Sequence, residues 1–325
     1  MSADARAADA QPSQAPAAGA SGGGVIHDIG YRSYDAQRLG RAQIVRALIW
    51  HSFRTAFGMG RGAKAKVFPI LLFALLCLPA AVNAVALATN RGSQPIVSYD
   101  SYIPSLRTVA MLIFVALEAP NLVSSDLRNH TLPLYFARPI RRMDYPLAKL
   151  VAFVLACLAM IDLPLILLYL GIATQVHGAS AVWAQTRQLG PGLLYGAAWA
   201  LLLASVGLLL ASTTGKRVFA MCAIGIPLFF SWVLAHVLMR IGVQAFGPAA
   251  LGQPSALASL AGLISPFTIL GGLLRWLQAP HPVGAQVLQA TTIGPYGPLY
   301  GIAFVLLTVA AIGGLLARYQ QVGVA

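Results

Sequence analysis

Six long apolar stretches constrain this chain more than any other feature in it. They cover 67–89, 102–123, 150–173, 189–211, 218–239 and 299–317, each close to the ~20 residues that a helix needs to cross a bilayer. In hydrocarbon every backbone polar group must be satisfied internally, so runs of this length read as helices. Four of them carry no charge, while 102–123 holds Arg107 and Glu118, and 150–173 holds Asp162. Charged residues make up 10% of the chain, against about 25% in soluble proteins. The fold class expected is an all-α integral membrane protein with six transmembrane helices.

The net charge is +13, a balance that in a soluble protein suggests nucleic acid. Here the bases sit beside apolar spans, so the partner expected is the lipid bilayer and not nucleic acid. With six spans and both termini inside, all of the 22 lysines and arginines except Arg91, Arg107, Arg187, Arg240 and Arg275 fall on the inner side. That bias is what the positive-inside rule demands. The segment 255–274 is apolar enough to compete as a seventh span, but Pro266 interrupts it and Gly262, Gly271 and Gly272 loosen it. Counting it as a span would put 278–298 inside without one lysine or arginine, and Arg318 outside. It is therefore expected outside, as a re-entrant or interfacial helical pair between the fifth and sixth spans.

Residues 1–24 are dominated by Ala, Gly, Ser, Pro and Gln, a composition that predicts a disordered tail. They lack the basic-then-apolar order of a signal peptide, so retention of the tail is expected. Over 38–57 the apolar residues recur with helical period. Ile44, Val45, Leu48, Ile49 and Phe53 fall on one side, Gln43, Arg46, His51 and Arg54 on the other, and Trp50 at the border. That pattern predicts an amphipathic helix lying in the membrane interface. The organisation expected is a cytoplasmic segment over 25–66 and a transmembrane domain over 67–318, with an inner loop at 124–149 and an external segment at 240–298. A cytoplasmic tail follows at 319–325. On the fourth span Gly192, Gly196, Ala200 and Ala204 form a small-residue stripe, suited to close helix approach either within one subunit or between two. Cys77, Cys157 and Cys222 lie far apart in apolar runs and read as small buried hydrophobes.

No catalytic constellation is visible. The six histidines show no HxxxH or HExxH spacing, so no metal site is expected, and no GxSxG elbow occurs. Thr214-Gly215-Lys216 fails as a nucleotide loop, because Leu210 stands where the first glycine belongs and Arg217 follows the lysine. The chain is expected to be no enzyme and to bind no cofactor of its own. Asn129-His130-Thr131 matches a glycosylation sequon but falls on the predicted inner side.

Glu118 and Asp162 are costly in hydrocarbon, roughly 2.5–3.5 kcal/mol or more at the centre. One reading places them on a translocation path or a proton route. In the other, Glu118 pairs with a base of the inner loop, and Asp162 bonds backbone groups freed by Pro164 or hydrogen-bonds while protonated.

The inner loop is the one long polar island between apolar spans. Its sequence over 126–149, DLRNHTLPLYFARPIRRMDYPLAK, carries Arg128, Arg138, Arg141, Arg142 and Lys149 with Asp126 and Asp144. Pro133 and Pro139 are expected to break regular helix. Leu132, Leu134, Tyr135 and Phe136 form an apolar patch too short to cross a bilayer. An apolar centre with an arginine rim suits either membrane anchoring or docking of a soluble partner.

The order Asp126, then His130-Thr131-Leu132, then Leu134-Tyr135-Phe136, then Arg138-Pro139-Ile140-Arg141-Arg142, then Lys149 at the opening of a span resembles the ABC type-2 permease family. Arg141 stands where serine is common in that family. The likeness covers about 25 residues in motif and most of the chain in layout. It implies the permease subunit of an ATP-binding cassette transporter of exporter type, in the plasma (inner) membrane with cytoplasmic termini. Two ATP-binding subunits carrying ATP and Mg would pair with this chain and a second permease subunit, either a copy or a paralogue. The same likeness makes Asp126, Arg128, Thr131, Leu132, Tyr135, Arg138, Pro139, Arg141, Arg142 and Lys149 an ATPase-coupling element. Two other readings compete: an ion-coupled secondary transporter using Glu118 and Asp162, and a non-transporting membrane scaffold. The first of these would show related halves, and no self-similarity between the halves is visible.

Overall fold

The structure is a computed structural model that describes residues 40–89, 106–129, 131–137, 139–174, 178–244, 256–278 and 296–322. Expectations for the tail at 1–24, for His130 and Arg138, and for 245–255 and 279–295 of the external segment lie outside these residues.

All regular structure among the described residues is helical. Six helices are long and apolar enough to cross a membrane, the architecture of a multi-pass helical membrane protein. Helix α1 (Arg41–Ala56) precedes the first span, α2 (Ala63–Thr89). The second span is α3 (Leu106–Leu122), continued beyond a break at Val123 by the short α4 (Ser124–Arg128). The loop then forms α5 (Leu132–Phe136) before the third span, α6 (Asp144–Ala173). The fourth and fifth spans are α7 (Ala179–Ala211) and α8 (Arg217–Gln244). Two shorter helices, α9 (Ala256–Ala261) and α10 (Pro266–Gln278), flank a 3-10 turn at Gly262–Ile264. The last span is α11 (Gly297–Val322).

Spans three and four start earlier than expected, at Asp144 rather than 150 and at Ala179 rather than 189. The charges at Lys149 and Arg187 end the apolar run but not the helix. At 1.5 Å per residue, the 33 residues of α7 reach about 50 Å, well beyond a hydrocarbon core of ~30 Å. Lys149 therefore does not open α6; it lies in the second turn and is buried. Pro133 is a second correction. It occupies the first turn of α5, where its missing N–H removes no helical bond, and its carbonyl accepts from the Ala137 N–H at 2.9 Å. A proline so placed starts a helix instead of breaking one.

The core forms where α3, α6 and α7 meet, around Met111, Phe114, Phe153, Met160 and Leu203. Phe114 and Phe153 stack with centroids 6.0 Å apart. Spans α2, α8 and α11 are the peripheral ones, with most of their surface turned outward. The small-residue stripe on α7 packs inside this subunit. A Cβ at Gly192 would meet Leu165 of α6 at 2.9 Å, and one at Gly196 would overlap the Asp162 carboxylate. Ala200 and Ala204 are fully buried. Cys157 is buried and Cys77 half-buried, but Cys222, on peripheral α8, is exposed, contrary to expectation.

Helix α1 buries Leu48, Ser52 and Ala56, and packs Val45, Ile49 and Phe53 on the core, with α6 and α3 as its neighbours. Its apolar side is therefore covered by protein, and its exposed side carries Gln43, Arg46, Trp50, His51 and Arg54. The turn into α2 relies on Gly58 at φ 69°, where a Cβ would overlap the Ala65 carbonyl.

The helical pair α9–α10 breaks where the sequence indicates. Ser265 is extended at φ −117° and ψ 136°, as a residue before proline prefers. The Thr268 hydroxyl donates to the Gly262 carbonyl at 2.6 Å, a group that Pro266 cannot serve for want of an N–H, and to the Ser265 carbonyl at 3.0 Å. Tyr300 of α11 wedges into the pair. Its hydroxyl donates to the Ser259 carbonyl at 2.5 Å, and a Cβ at Gly262 or Gly272 would overlap it.

Candidate functional site

The loop between spans two and three is held by one carboxylate. Asp126 Oδ2 accepts from the Tyr145 hydroxyl at 2.6 Å and lies 2.9 Å from Lys149 Nζ. A buried ammonium needs such a partner, because desolvation otherwise costs several kcal/mol. The Asp126 carbonyl also accepts from the Thr131 N–H and hydroxyl, at 3.2 and 3.3 Å. This folds α4 and α5 back against the start of α6. Tyr145 is fully buried, with the rings of Tyr135 and Tyr319 each 5.3 Å away.

Further contacts gather five helix ends around this hub. Asp144 accepts two bonds from Arg41 of α1, at 2.5 and 2.7 Å, and one from the Arg141 N–H at 2.8 Å. The hydrogen bonds to Asp144 raise the Arg41 pKa above its ordinary value. At the C-terminus of α7 the Ala211 carbonyl accepts from the Ser124 hydroxyl at 2.8 Å. The Ser212 and Thr213 carbonyls accept from Arg318 of α11, at 2.6 and 3.1 Å. Terminal helix carbonyls have no intrahelical partner, and here two other elements supply the donors.

The ten loop residues singled out in the sequence divide into two groups. Asp126, Thr131, Leu132, Tyr135 and Lys149 build the loop from within, and Leu132 is only 6% exposed. Arg128, Pro139, Arg141 and Arg142 face outward, while Arg138 lies outside the described residues. The apolar tip is Leu134, 71% exposed. Sequence reasoning placed Leu132 and Leu134 in one patch; the turn of α5 puts one inside and the other out.

The two acids within spans have separate partners at separate depths. Glu118 accepts from Asn121 at 2.8 Å and lies 3.4 Å from Arg61, so its base comes from the α1–α2 turn and not from the loop at 126–149. Asp162 lies 3.8 Å from Arg107, a pair that the sequence reading did not foresee. The Arg107 guanidinium also sits 6.0 Å from the Tyr195 ring centroid. Arg107 is the second residue of α3, and along α6 its partner lies thirteen residues beyond Lys149, about 20 Å at 1.5 Å per residue. One signal was available in the sequence: an arginine inside a span needs an anion, and the spans hold few. Glu118 and Arg107, eleven residues apart on α3, are separated by about 16 Å, so the two acids do not share one site.

Among the described residues no group of three or more histidine, cysteine, aspartate or glutamate side chains is placed to hold a metal ion. No protein-family model matches the chain, and no curated protein matches it either.

Proposed function

We propose that this chain is the permease subunit of an ATP-binding cassette transporter of exporter type, driven by a separate ATPase subunit that docks on the loop at 126–149. The observation that carries the reading is the build of that loop. Exposed Leu134, in a loop that also exposes Arg128, Arg141 and Arg142, stands on a base fixed by Asp126, Lys149 and Tyr145. An exposed apolar tip with a charged rim is the anatomy of a docking surface, and a fixed base lets force applied there reach the spans. The motif order around Thr131-Leu132 and Pro139-Ile140-Arg141 supports the same assignment by resemblance.

In this reading closure of the ATPase pair displaces α4 and α5. The displacement passes to α6 through Lys149, to α11 through the Tyr145–Tyr319 contact, and to α7 through the Ser124 cap. Rigid helices tied at one end then rock between inward- and outward-facing arrangements. The loop, both termini and the ATPase lie on the cytoplasmic side of the plasma membrane, and a second permease subunit completes the translocation path. ATP and Mg belong to the ATPase.

The Arg107–Asp162 pair favours a second reading, an ion-coupled transporter, because ionisable groups within spans commonly mark proton or ion routes. Reconstitution into proteoliposomes with the ATPase separates the two. The permease reading expects uptake or extrusion that needs ATP hydrolysis and persists in Glu118→Gln and Asp162→Asn variants. Transport driven by an ion gradient without ATP, and lost in those variants, would establish the second reading instead.

A further inference from the structure

The apolar side of α1 is covered by α6 and α3, which leaves its opposite side to be explained. Gln43, Arg46, Trp50 and Arg54 follow one another at intervals of three and four residues and share one face. All four are exposed. Trp50 is 60% exposed, and its ring is held flat against Phe53, at 5.8 Å and 16° between planes. The helix contains no acidic residue. At its start Arg41 pairs with Asp144, and in the turn beyond its end Arg61 pairs with Glu118. Arg46 and Arg54 form no ion pair among the described residues. The Gly58 turn leads directly into the first span, whose opening residues Lys64 and Lys66 are also exposed.

We propose that the Arg46–Trp50–Arg54 stripe is a docking surface for an anionic phospholipid leaflet. An indole flanked one turn on each side by guanidinium groups matches the headgroup zone, where tryptophan is enriched and cations meet lipid phosphates. The position beside the start of a span places the stripe at that zone. The chemistry differs from what the sequence pattern suggested. There α1 was expected to lie in the membrane interface as an amphipathic helix; the structure packs its apolar side on the protein and leaves the cationic, indole-bearing side exposed. The inference holds whether or not the chain is a permease.

The test uses the full-length protein in nanodiscs of phosphatidylcholine alone or of phosphatidylcholine mixed with phosphatidylglycerol. Hydrogen exchange is followed by mass spectrometry over 41–56. Each basic residue near an anionic surface contributes enough to expect roughly tenfold slower exchange of α1 in the anionic discs. The Arg46→Gln/Arg54→Gln variant should lose that difference while keeping the wild-type unfolding midpoint, since both side chains are exposed. A Lys64→Gln/Lys66→Gln variant should keep most of it. Raised salt should abolish it, because exposed charges are screened. Equal exchange in both lipids would overturn the proposal, and so would a lipid effect that survives loss of both arginines. An effect removed equally by the lysine substitutions would assign it to the general charge of the rim, not to this stripe. Protection of α1 that is independent of lipid charge would point to a protein partner and overturn the proposal as well.

Discussion

The Asp162 carboxylate of α6 stands 3.8 Å from the Arg107 guanidinium of α3, at the point where α7 presents Gly196. Three spans thus meet at one pair of opposite charges, and the glycine leaves the carboxylate its space. Removing one partner of a buried pair strands the other, which costs about 3 kcal/mol. Arg107→Leu and Asp162→Leu should each destabilise the protein by about that much. The double variant should recover most of the loss, because two apolar groups need no compensation. Unfolding in detergent, followed for the two single variants and the double, checks this; additive losses would show that the pair is not coupled.

Gly196→Ala should be damaging for a related reason. Its Cβ would overlap the Asp162 carboxylate, and overpacking of this kind costs about 1–3 kcal/mol. Gly313→Ala, on α11 with open space around it, should instead raise stability by up to about 1 kcal/mol through helix propensity. The contrast is measured by thermal unfolding of the two variants side by side. Equal effects would remove the special role of Gly196.

Asp126→Asn should loosen the loop at 126–149 without unfolding the bundle. It weakens the Lys149 ion pair and the Tyr145 hydrogen bond, each worth about 1–3 kcal/mol when one partner carries charge. Amide exchange over 124–137 should accelerate, while exchange over the middle of α6 should change little. Uniform acceleration along α6 would mean that the carboxylate supports the whole span and not the loop alone.

Leu132 and Leu134 should behave oppositely although they are two residues apart. Leu132→Ala removes a buried side chain from the base of the loop and should cost about 2 kcal/mol. Leu134→Ala should change stability by less than about 0.5 kcal/mol, since its side chain touches little of its own chain. The unfolding midpoints of the two variants provide the check, and similar losses would contradict the orientation of α5.

The spans were legible because hydrocarbon imposes a simple rule, long uncharged runs, and the break before Pro266 was legible from the proline itself. Helix starts were not, because a charge ends an apolar run without ending a helix. Lys149 continues α6 once Asp126 neutralises it, and that pairing cannot be read from composition. Arg107 and Asp162 are fifty-five residues apart and on different helices, so no local spacing announces their meeting. The glycine stripe on α7 announced close packing but not its partner, which proved to be α6 of the same chain. In the loop the residue types suggested a docking element, while the division between Leu132 inside and Leu134 outside depended on the rotation of a five-residue helix.

The central claim is that the loop tip receives a soluble ATPase, and the tagged full-length chain tests it most directly. Wild-type protein and Leu134→Glu are purified in mild detergent from cells expressing both the chain and its candidate ATPase, and the bound ATPase is measured per chain. A charge at an exposed tip leaves the fold intact, so both proteins should be monodisperse with the same unfolding midpoint. The account predicts stoichiometric ATPase on the wild type and loss of most of it on Leu134→Glu. Equal retention by the two proteins would contradict docking at this loop, and no ATPase on either would contradict the permease assignment itself.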